Sequence, residues 1–256
     1  SVSGANDYTF SGAGAIGGAA TLTKSGTGTL TLSGANTYTG GTTINPGILE
    51  IQHNNALGTG LVQLTGTSSR LRLVDGITLD NDITIASAAN TKYIQLVSGS
   101  ATISSNSTIT TLEGGINARF SGAGTLTLDA QITGTGGINA NSGTVILTNA
   151  ANNFTGQVYV TSGTLQINDG GAVSNASSIL LRGSNIALNL ANGVTVDRAL
   201  TAQTTGVNKT LQVDNAGTTS ATYSGGITIQ ETSLNAFDLL VGADDTLTID
   251  GVISGT

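Results

Sequence analysis

The chain has 256 residues, a formal net charge of −7, 38% hydrophobic residues and only 9% charged residues. This hydrophobic content at low charge excludes an intrinsically disordered chain. The acidic balance argues against nucleic acid or an anionic membrane surface as a partner, because no basic stripe could displace their counterions. With one proline and no cysteine, the chain is neither a Pro-rich linker nor a disulfide scaffold. No apolar run reaches the roughly 18 residues that span a bilayer, so we expect no membrane insertion by this chain.

Short apolar/polar alternations, broken by Gly and Asn, follow one another along the whole chain. The stretch Ser1–Thr9 has the character of the end of a preceding repeat, and Ser1 stands where an initiator Met would be, so we expect a piece of a longer protein. The alternation has the period of two that is typical of half-buried strands, and Gly and Asn predict tight corners between them. No segment has helical spacing, so we predict no significant helix. The predicted inward positions, two apart along each strand, include Leu30, Leu32, Leu49, Ile51, Leu165 and Ile167.

Two long internal repeats organise the chain, over residues 10–131 and 132–252, and a third begins at 253. Thr29–Leu32 returns as Thr144–Leu147, and Thr125–Asp129 returns as Thr246–Asp250. Two all-β plans fit such strands. A β-sandwich predicts one set of strands that does not repeat, whereas stacked coils predict a recurring long period. We therefore expect residues 1–256 to form a single parallel β-solenoid segment.

Residues 24–51, which include GTGTLTLSGANTYTGGTTINPGILEI, resemble the autotransporter-associated β-strand repeat, also called the passenger-associated transport repeat. Residues 141–167 resemble a diverged copy of it. The resemblance implies a right-handed parallel β-helix in the secreted passenger of a Gram-negative autotransporter, located outside the cell or on the bacterial cell surface. In that family such repeats are mostly stalk, and the recognised activities reside in inserted loops or added domains.

The prediction for function is a non-enzymatic stalk, adhesin shaft or fibre segment that provides extension and display. We expect end-to-end contact with further solenoid repeats or identical subunits, and a cell-surface or polysaccharide ligand stays open. Two alternatives are a self-assembling extracellular filament subunit and a β-helical polysaccharide-active enzyme. A groove lined by non-repeated Asp, Arg and aromatic residues would favour the enzyme, whereas a uniform Thr/Ser/Asn surface would favour the shaft.

The carboxylates divide into repeated and unrepeated positions. Asp80 recurs as Asp197, and Asp129 recurs as Asp250, which indicates a capping role at successive turns, because a catalytic pair is needed only once. We expect no catalytic, cofactor-binding or metal site. Ca²⁺ or substrate binding stays open for the unrepeated acids, which are Asp75, Asp82, Asp238, Asp244 and Asp245.

Three other features carry expectations about side chains. The single histidine, His53, lies in a polar turn and is expected to be solvated. Lys92 recurs as Lys209, which we interpret as a surface position. Tyr38 and Phe154 occupy one repeat position and are expected to pack into a corner. The other tyrosines are too scattered along the sequence to predict a sugar-stacking platform; they are Tyr8, Tyr93, Tyr159 and Tyr223.

Overall fold

The computed structural model describes residues 1–86, 91–112, 118–203, 206–213, 218–230 and 237–255. In these ranges the chain winds into a β-solenoid, in which the strand pairs are parallel and join strands of successive coils. Parallel neighbours need a complete crossover between them, and here one full coil supplies it. The predicted all-β solenoid is confirmed. Within the described ranges the one helical element is a short 3₁₀ turn, η1, at Gly170–Val173.

Each coil has up to three sides, which we number in the order in which the chain meets them. Side 1 contains β2 Leu22–Lys24, β4 Thr42–Ile44, β6 Val62–Leu64, β9 Ile83–Ile85, β11 Thr108–Thr111 and β13 Gln131–Gly134, then β20 Thr195–Val196, β23 Ser220–Tyr223 and β26 Thr246–Ile249.

Side 2 contains β1 Tyr8–Phe10, β3 Thr29–Leu32, β5 Ile48–Ile51, β7 Arg70–Leu73, the first parts of β10 Lys92–Ile103 and β12 Ala118–Leu128, then β14 Ile138–Ala140, β16 Val158–Val160, β18 Ile179–Leu181, β21 Leu200–Ala202, β24 Ile227–Ile229 and β27 Ile253–Gly255. Side 3 contains β8 Thr78–Leu79, the second parts of β10 and β12, β15 Thr144–Leu147, β17 Gly163–Ile167, β19 Ile186–Leu190, β22 Lys209–Val213 and β25 Phe237–Leu240.

The long strands β10 and β12 run round the corner between sides 2 and 3 without ending. For this reason the strands of these two sides form one 18-stranded sheet, while side 1 forms a 6-stranded and a 3-stranded sheet.

The core is a set of apolar columns that run along the solenoid axis. On side 2, Leu30 pairs with Leu49, and Leu49 pairs with Leu71, so that identical side chains stack coil upon coil. On side 3, Leu165 lies between Val145 and Leu188 in the same way. All six predicted inward residues have no solvent exposure, which confirms the predicted register. Full burial of each such side chain contributes about 1.5–3 kcal/mol relative to exposure.

Glycines and asparagines form the corners, where successive coils approach most closely. Gly47 has a φ of +105°, and a Cβ placed there would lie 2.1 Å from the carbonyl oxygen of Gly26 in the preceding coil. Only glycine fits such a corner, because an added Cβ would also meet an unfavourable left-handed backbone. The predicted corner aromatics are confirmed: Tyr38 and Phe154 are buried, and the Tyr38 hydroxyl lies 2.6 Å from the Thr42 hydroxyl.

The prediction that Lys92 and Lys209 lie on the surface is wrong. Both are buried, as is the third lysine of the chain, Lys24. The aliphatic stem of each lysine can pack with apolar neighbours while its ammonium donates to carbonyl oxygens that a tight corner leaves unpaired. Lys24 Nζ donates to the carbonyls of Ser25 and Gly26, at 3.0 and 2.8 Å, and Lys209 Nζ donates to that of Gly206 at 3.2 Å. A recurring lysine can therefore be a corner cap as well as a solvated side chain.

Candidate functional site

Three of the five unrepeated aspartates tie one coil to the next. Asp75 accepts a hydrogen bond from the backbone N–H of Ser100, and Asp82 accepts one from that of Thr108, at 2.8 and 2.7 Å. Asp245 accepts from both the N–H and the hydroxyl of Thr219, at 2.8 and 2.7 Å. Each partner lies about one coil away in sequence. These carboxylates therefore satisfy backbone donors at corners of the solenoid, which is the role that the sequence assigned to the repeated aspartates.

The repeated aspartates make several kinds of contact. Asp80 bonds the hydroxyl of Ser104, and Asp129 accepts from the hydroxyl of Thr148, in both cases one coil further on. Asp197 instead forms a bidentate pair with its neighbour Arg198, at 2.8 and 2.9 Å. The hydrogen bonds from Arg198 hold the pKa of the Asp197 carboxyl below its ordinary value.

The described carboxylates and the histidine do not converge. Among the described residues, no group of three or more His, Cys, Asp or Glu side chains could hold a metal ion. The ring nitrogen Nδ1 of His53 accepts from the backbone N–H of Asn55 at 3.0 Å, inside its exposed turn. The candidates with local contacts, which are His53, Asp75, Asp82 and Asp245, therefore lie at separate corners. Asp238 lies within strand β25, and Asp244 lies in an exposed turn.

A different cluster, rich in arginine, lies on the outer face of side 2. Arg70 on β7, Tyr93 on β10 and Arg119 on β12 are direct neighbours in register on three adjacent strands. The guanidinium carbons of Arg70 and Arg119 lie 4.5 and 5.7 Å from the centre of the Tyr93 ring. Each cation–π contact at such a half-exposed position is worth about 0.5–1 kcal/mol. The tyrosine therefore orients two cations side by side along the solenoid axis.

A second outward column runs beside the first, two residues further along each strand. Glu50, Arg72, Gln95 and Ser121 are successive neighbours in it. Arg72 and Glu50 form a salt bridge at 3.4 Å, and both side chains are partly exposed. We call the two columns together the arginine face, defined by Glu50, Arg70, Arg72, Tyr93, Gln95, Arg119 and Ser121.

A groove of about 490 Å³ borders this face at the corner between sides 2 and 3, and Arg72, Gln95 and Ser142 are among its lining residues. The corner is shaped by a β-bulge. Leu96 pairs with Gly122 and Gly99 pairs with Gly124, so β10 has one residue more than β12 between these pairs. Such a bulge bends a strand and redirects its side chains.

Two amides on side 2 hold polar atoms that have no hydrogen-bond partner among the described residues. They are Oε1 of Gln95, in the groove, and Nδ2 of Asn139, which is the next neighbour of Arg119 along its column. Leaving a buried polar atom unpaired costs about 1–3 kcal/mol, so such atoms indicate places where water or a ligand group completes the hydrogen bonding.

Sequence reasoning missed the arginine face. The signal was present, since three of the five arginines lie between residues 70 and 119. The sequence alone did not show that these residues are neighbours. Arg70 and Tyr93 are one coil apart, Tyr93 and Arg119 are one coil apart, and the two coils differ in length. The tyrosines that were judged scattered are partly aligned: Tyr93 and Tyr159 lie in one column on side 2, separated by Arg119 and Asn139.

Comparison with known proteins first defines the class. Residues 22–51 and 140–167 match the family model described as the passenger-associated-transport-repeat, so the resemblance seen in the sequence is confirmed. The chain is thus a β-solenoid that carries two passenger-associated transport repeats. No solved structure matches it.

A curated relative makes the comparison more particular. The chain is 31% identical over 238 residues to the adhesin BmaC autotransporter of Brucella suis biovar 1, strain 1330. That alignment takes in 83% of this chain and 6% of the adhesin, so the chain spans a small part of the length of its relative. The similarity supports a passenger of the autotransporter type. Separately, no helix among the described residues is long and apolar enough to cross a membrane.

Proposed function

We propose that this chain is a non-enzymatic shaft segment of a surface-exposed, adhesin-like autotransporter passenger, and that it acts by extension and display outside the bacterial cell. The observation that carries the proposal is the parallel pairing of coil with coil over the described length, with an apolar column inside each side. Because every coil buries its inner face against the next, such a stack gives a rigid rod. The similarity to an autotransporter adhesin supports the location and the role.

The arginine face does not favour the enzyme alternative. Glycoside hydrolysis needs two carboxyl groups that flank one bond. Among the described residues, the one carboxylate within the two columns is Glu50, and it is held by Arg72. The face combines cations, an aromatic ring and amides, which is a set suited to binding. We therefore propose that the chain does not turn over polysaccharides.

Contact with further coils is the second part of the proposal. The first described coils expose Tyr8 and Phe10, and the last expose Leu240, Val252 and Ile253. Apolar side chains and unpaired strand edges at the end of a stack are a template for another coil. We propose that these ends contact further solenoid repeats or an identical subunit. Contact with an identical subunit would produce the filament of the alternative hypothesis.

Small-angle scattering tests the shaft. With twelve strands stacked on side 2 in the described part of the chain, we expect a rod roughly 50 Å long, at about 4.8 Å per coil. A tandem fusion of two copies should double the length at an unchanged cross-section. A fusion that scatters as two flexibly linked bodies would argue against a continuous shaft. Sedimentation over a concentration series tests the ends, and a species that stays monomeric at high concentration would contradict end-to-end contact.

A further inference from the structure

We propose that the arginine face is a binding site for an acidic polysaccharide that lies along the solenoid axis. This role goes beyond extension and display, and it assigns a ligand class to a surface that the shaft role leaves without one. Three properties of the face support this ligand class: its charge, its spacing, and the lack of apolar anchors in its two columns.

The arginine face is a cationic surface on an acidic chain. The chain has eight Lys and Arg residues and a net charge of −7. All three lysines are buried, so the five arginines are the side chains that can present a positive charge outside, and three of them are on this face. Among the described residues Arg70 has no carboxylate within salt-bridge distance, and it keeps its guanidinium next to Tyr93. A local concentration of guanidinium groups on an acidic chain selects an anionic ligand, because guanidinium pairs with carboxylate or sulfate oxygens in a bidentate way.

The spacing of the two arginines beside Tyr93 suits a polysaccharide. Arg70 and Arg119 are two strand spacings apart, which is roughly 10 Å. That is about the length of one disaccharide, so two acidic groups on a polysaccharide chain could meet the two cations at once. The next two neighbours in register, Asn139 and Tyr159, are buried, so the accessible part of this column is the span from Arg70 to Arg119. Two cations spaced along the axis, rather than gathered round one point, match an extended polymer better than a compact small molecule.

The side chains of the two columns suit a polysaccharide better than a protein. The centre of a protein interface is normally an apolar patch with large anchors. Here the two columns present guanidinium, amide and carboxylate groups, and the Tyr93 ring is in contact with two guanidinium groups. The side-chain oxygen of Gln95 in the groove has no partner among the described residues, and a sugar hydroxyl could donate to it after a small rotation of the amide. Many hydroxyl groups with intermittent acids are the chemistry of an acidic polysaccharide.

The test uses the intact chain and fluorescently labelled polygalacturonate, with affinity measured by anisotropy at several salt concentrations. We expect saturable binding that weakens as salt rises, because exposed charge pairs are screened. Dextran sulfate distinguishes sulfate from carboxylate recognition, and binding of either acidic polysaccharide supports the proposal. Neutral dextran should not bind. Poly-L-glutamate represents an acidic polypeptide, and preferential binding of that probe would overturn the proposal in favour of a protein ligand.

Variants locate the site. Arg70→Gln combined with Arg119→Gln should weaken binding roughly tenfold or more, since it removes both charge contacts. The matched control is Arg182→Gln, an exposed arginine two coils beyond Asn139, just after β18, which should bind like the parent chain. Arg70→Lys with Arg119→Lys keeps the charge and should lose less than the glutamine pair. Tyr93→Leu should weaken binding while Tyr93→Phe, which keeps a ring between the cations, should not.

Circular dichroism and a urea midpoint for each variant separate lost binding from lost folding. No binding of either acidic polysaccharide by a folded parent chain would overturn the site, and so would equal binding by the glutamine pair and by Arg182→Gln. Neither result touches the shaft proposal, whose test is the length measured by scattering.

Discussion

Asn152→Ala should be one of the most destabilising polar substitutions in this chain, because one buried amide joins three successive coils. Oδ1 of Asn152 accepts from the backbone N–H of Ile132 at 2.7 Å, and Nδ2 donates to the carbonyl of Ala172 at 3.0 Å. The residue is only 2% exposed. Alanine would leave a donor in the coil before and an acceptor in the coil after without this partner.

The magnitude follows from those two groups. An unpaired buried polar group costs about 1–3 kcal/mol, so two such groups should cost about 2–6 kcal/mol. That is a large fraction of the roughly 5–15 kcal/mol by which a protein is normally stable. Asn36 makes the same two bonds in the other repeat, with Ile16 N at 2.8 Å and Ala56 O at 2.7 Å, so Asn36→Ala repeats the experiment at an independent place.

Urea unfolding followed by circular dichroism measures the total effect, and hydrogen exchange of the Ile132 amide reports it locally. The matched control is Asn153→Ala, since Asn153 is the adjacent residue and its side chain is exposed. We expect Asn152→Ala to lower the midpoint strongly and to expose the Ile132 amide, while Asn153→Ala does neither. Equal midpoints for the two variants, with the Ile132 amide still protected, would refute the reasoning.

Three further predictions follow from the core, a corner and the carboxylates. Leu165→Ala should lower the free energy of unfolding in urea by about 3 kcal/mol, because Leu165 is packed between side chains of the coils before and after it. Gln166→Ala, at the adjacent outward position, should lower it far less. Equal losses would contradict the register. Burial lowers the pKa of Lys24, although the charge of Asp7 opposes the shift, so the unfolded chain binds more protons than the folded chain between that lowered value and 10.5. The stability of the parent chain should therefore rise with pH in that window. The unfolding free energy of the parent chain minus that of Lys24→Met should become more positive as the pH approaches 10.5. A value that is flat with pH would count against burial of the charge. Assays for release of reducing or unsaturated sugars from acidic polysaccharides should show no turnover. Activity that is abolished by Asp82→Ala or Asp244→Ala would instead support the hypothesis of a polysaccharide-active enzyme.

The sequence was sufficient for the features that depend on local pattern. Period-two alternation predicted the strands, and the same alternation placed Leu30 and Leu165 inside, where the structure has them. The shared position of Tyr38 and Phe154 was enough to predict a packed corner, since a large aromatic in a repeated turn has an apolar reason to be there.

Features that depend on the contact between coils were beyond the sequence. The recurrence of Lys92 as Lys209 indicated a surface position, because the sequence does not show that a long apolar stem can be buried between coils; in the fold Lys92 is buried. Arg70 and Arg119 became one face only through the pairing of β7, β10 and β12, and the coil lengths that set this pairing are unequal. The alternation of side chains along a strand can be read from the sequence. The pairing of residues between coils depends on the length of each coil, which the sequence pattern does not show.

The two repeat copies show how this freedom shapes the molecule. Thr29–Leu32 and Thr144–Leu147 are equivalent in the repeat, yet the first lies on side 2 and the second on side 3. The repeat therefore specifies two strands and the corner between them, and leaves open which side of the coil they occupy. The change of side takes place along β10 and β12, the two strands that run round a corner without ending. These strands lie in residues 52–139, between the two segments that match the family model, and they carry Tyr93 and Arg119. The part of the chain that departs from the repeat is thus the part that assembles a distinctive surface, as expected if the repeats supply length and the residues between them supply recognition.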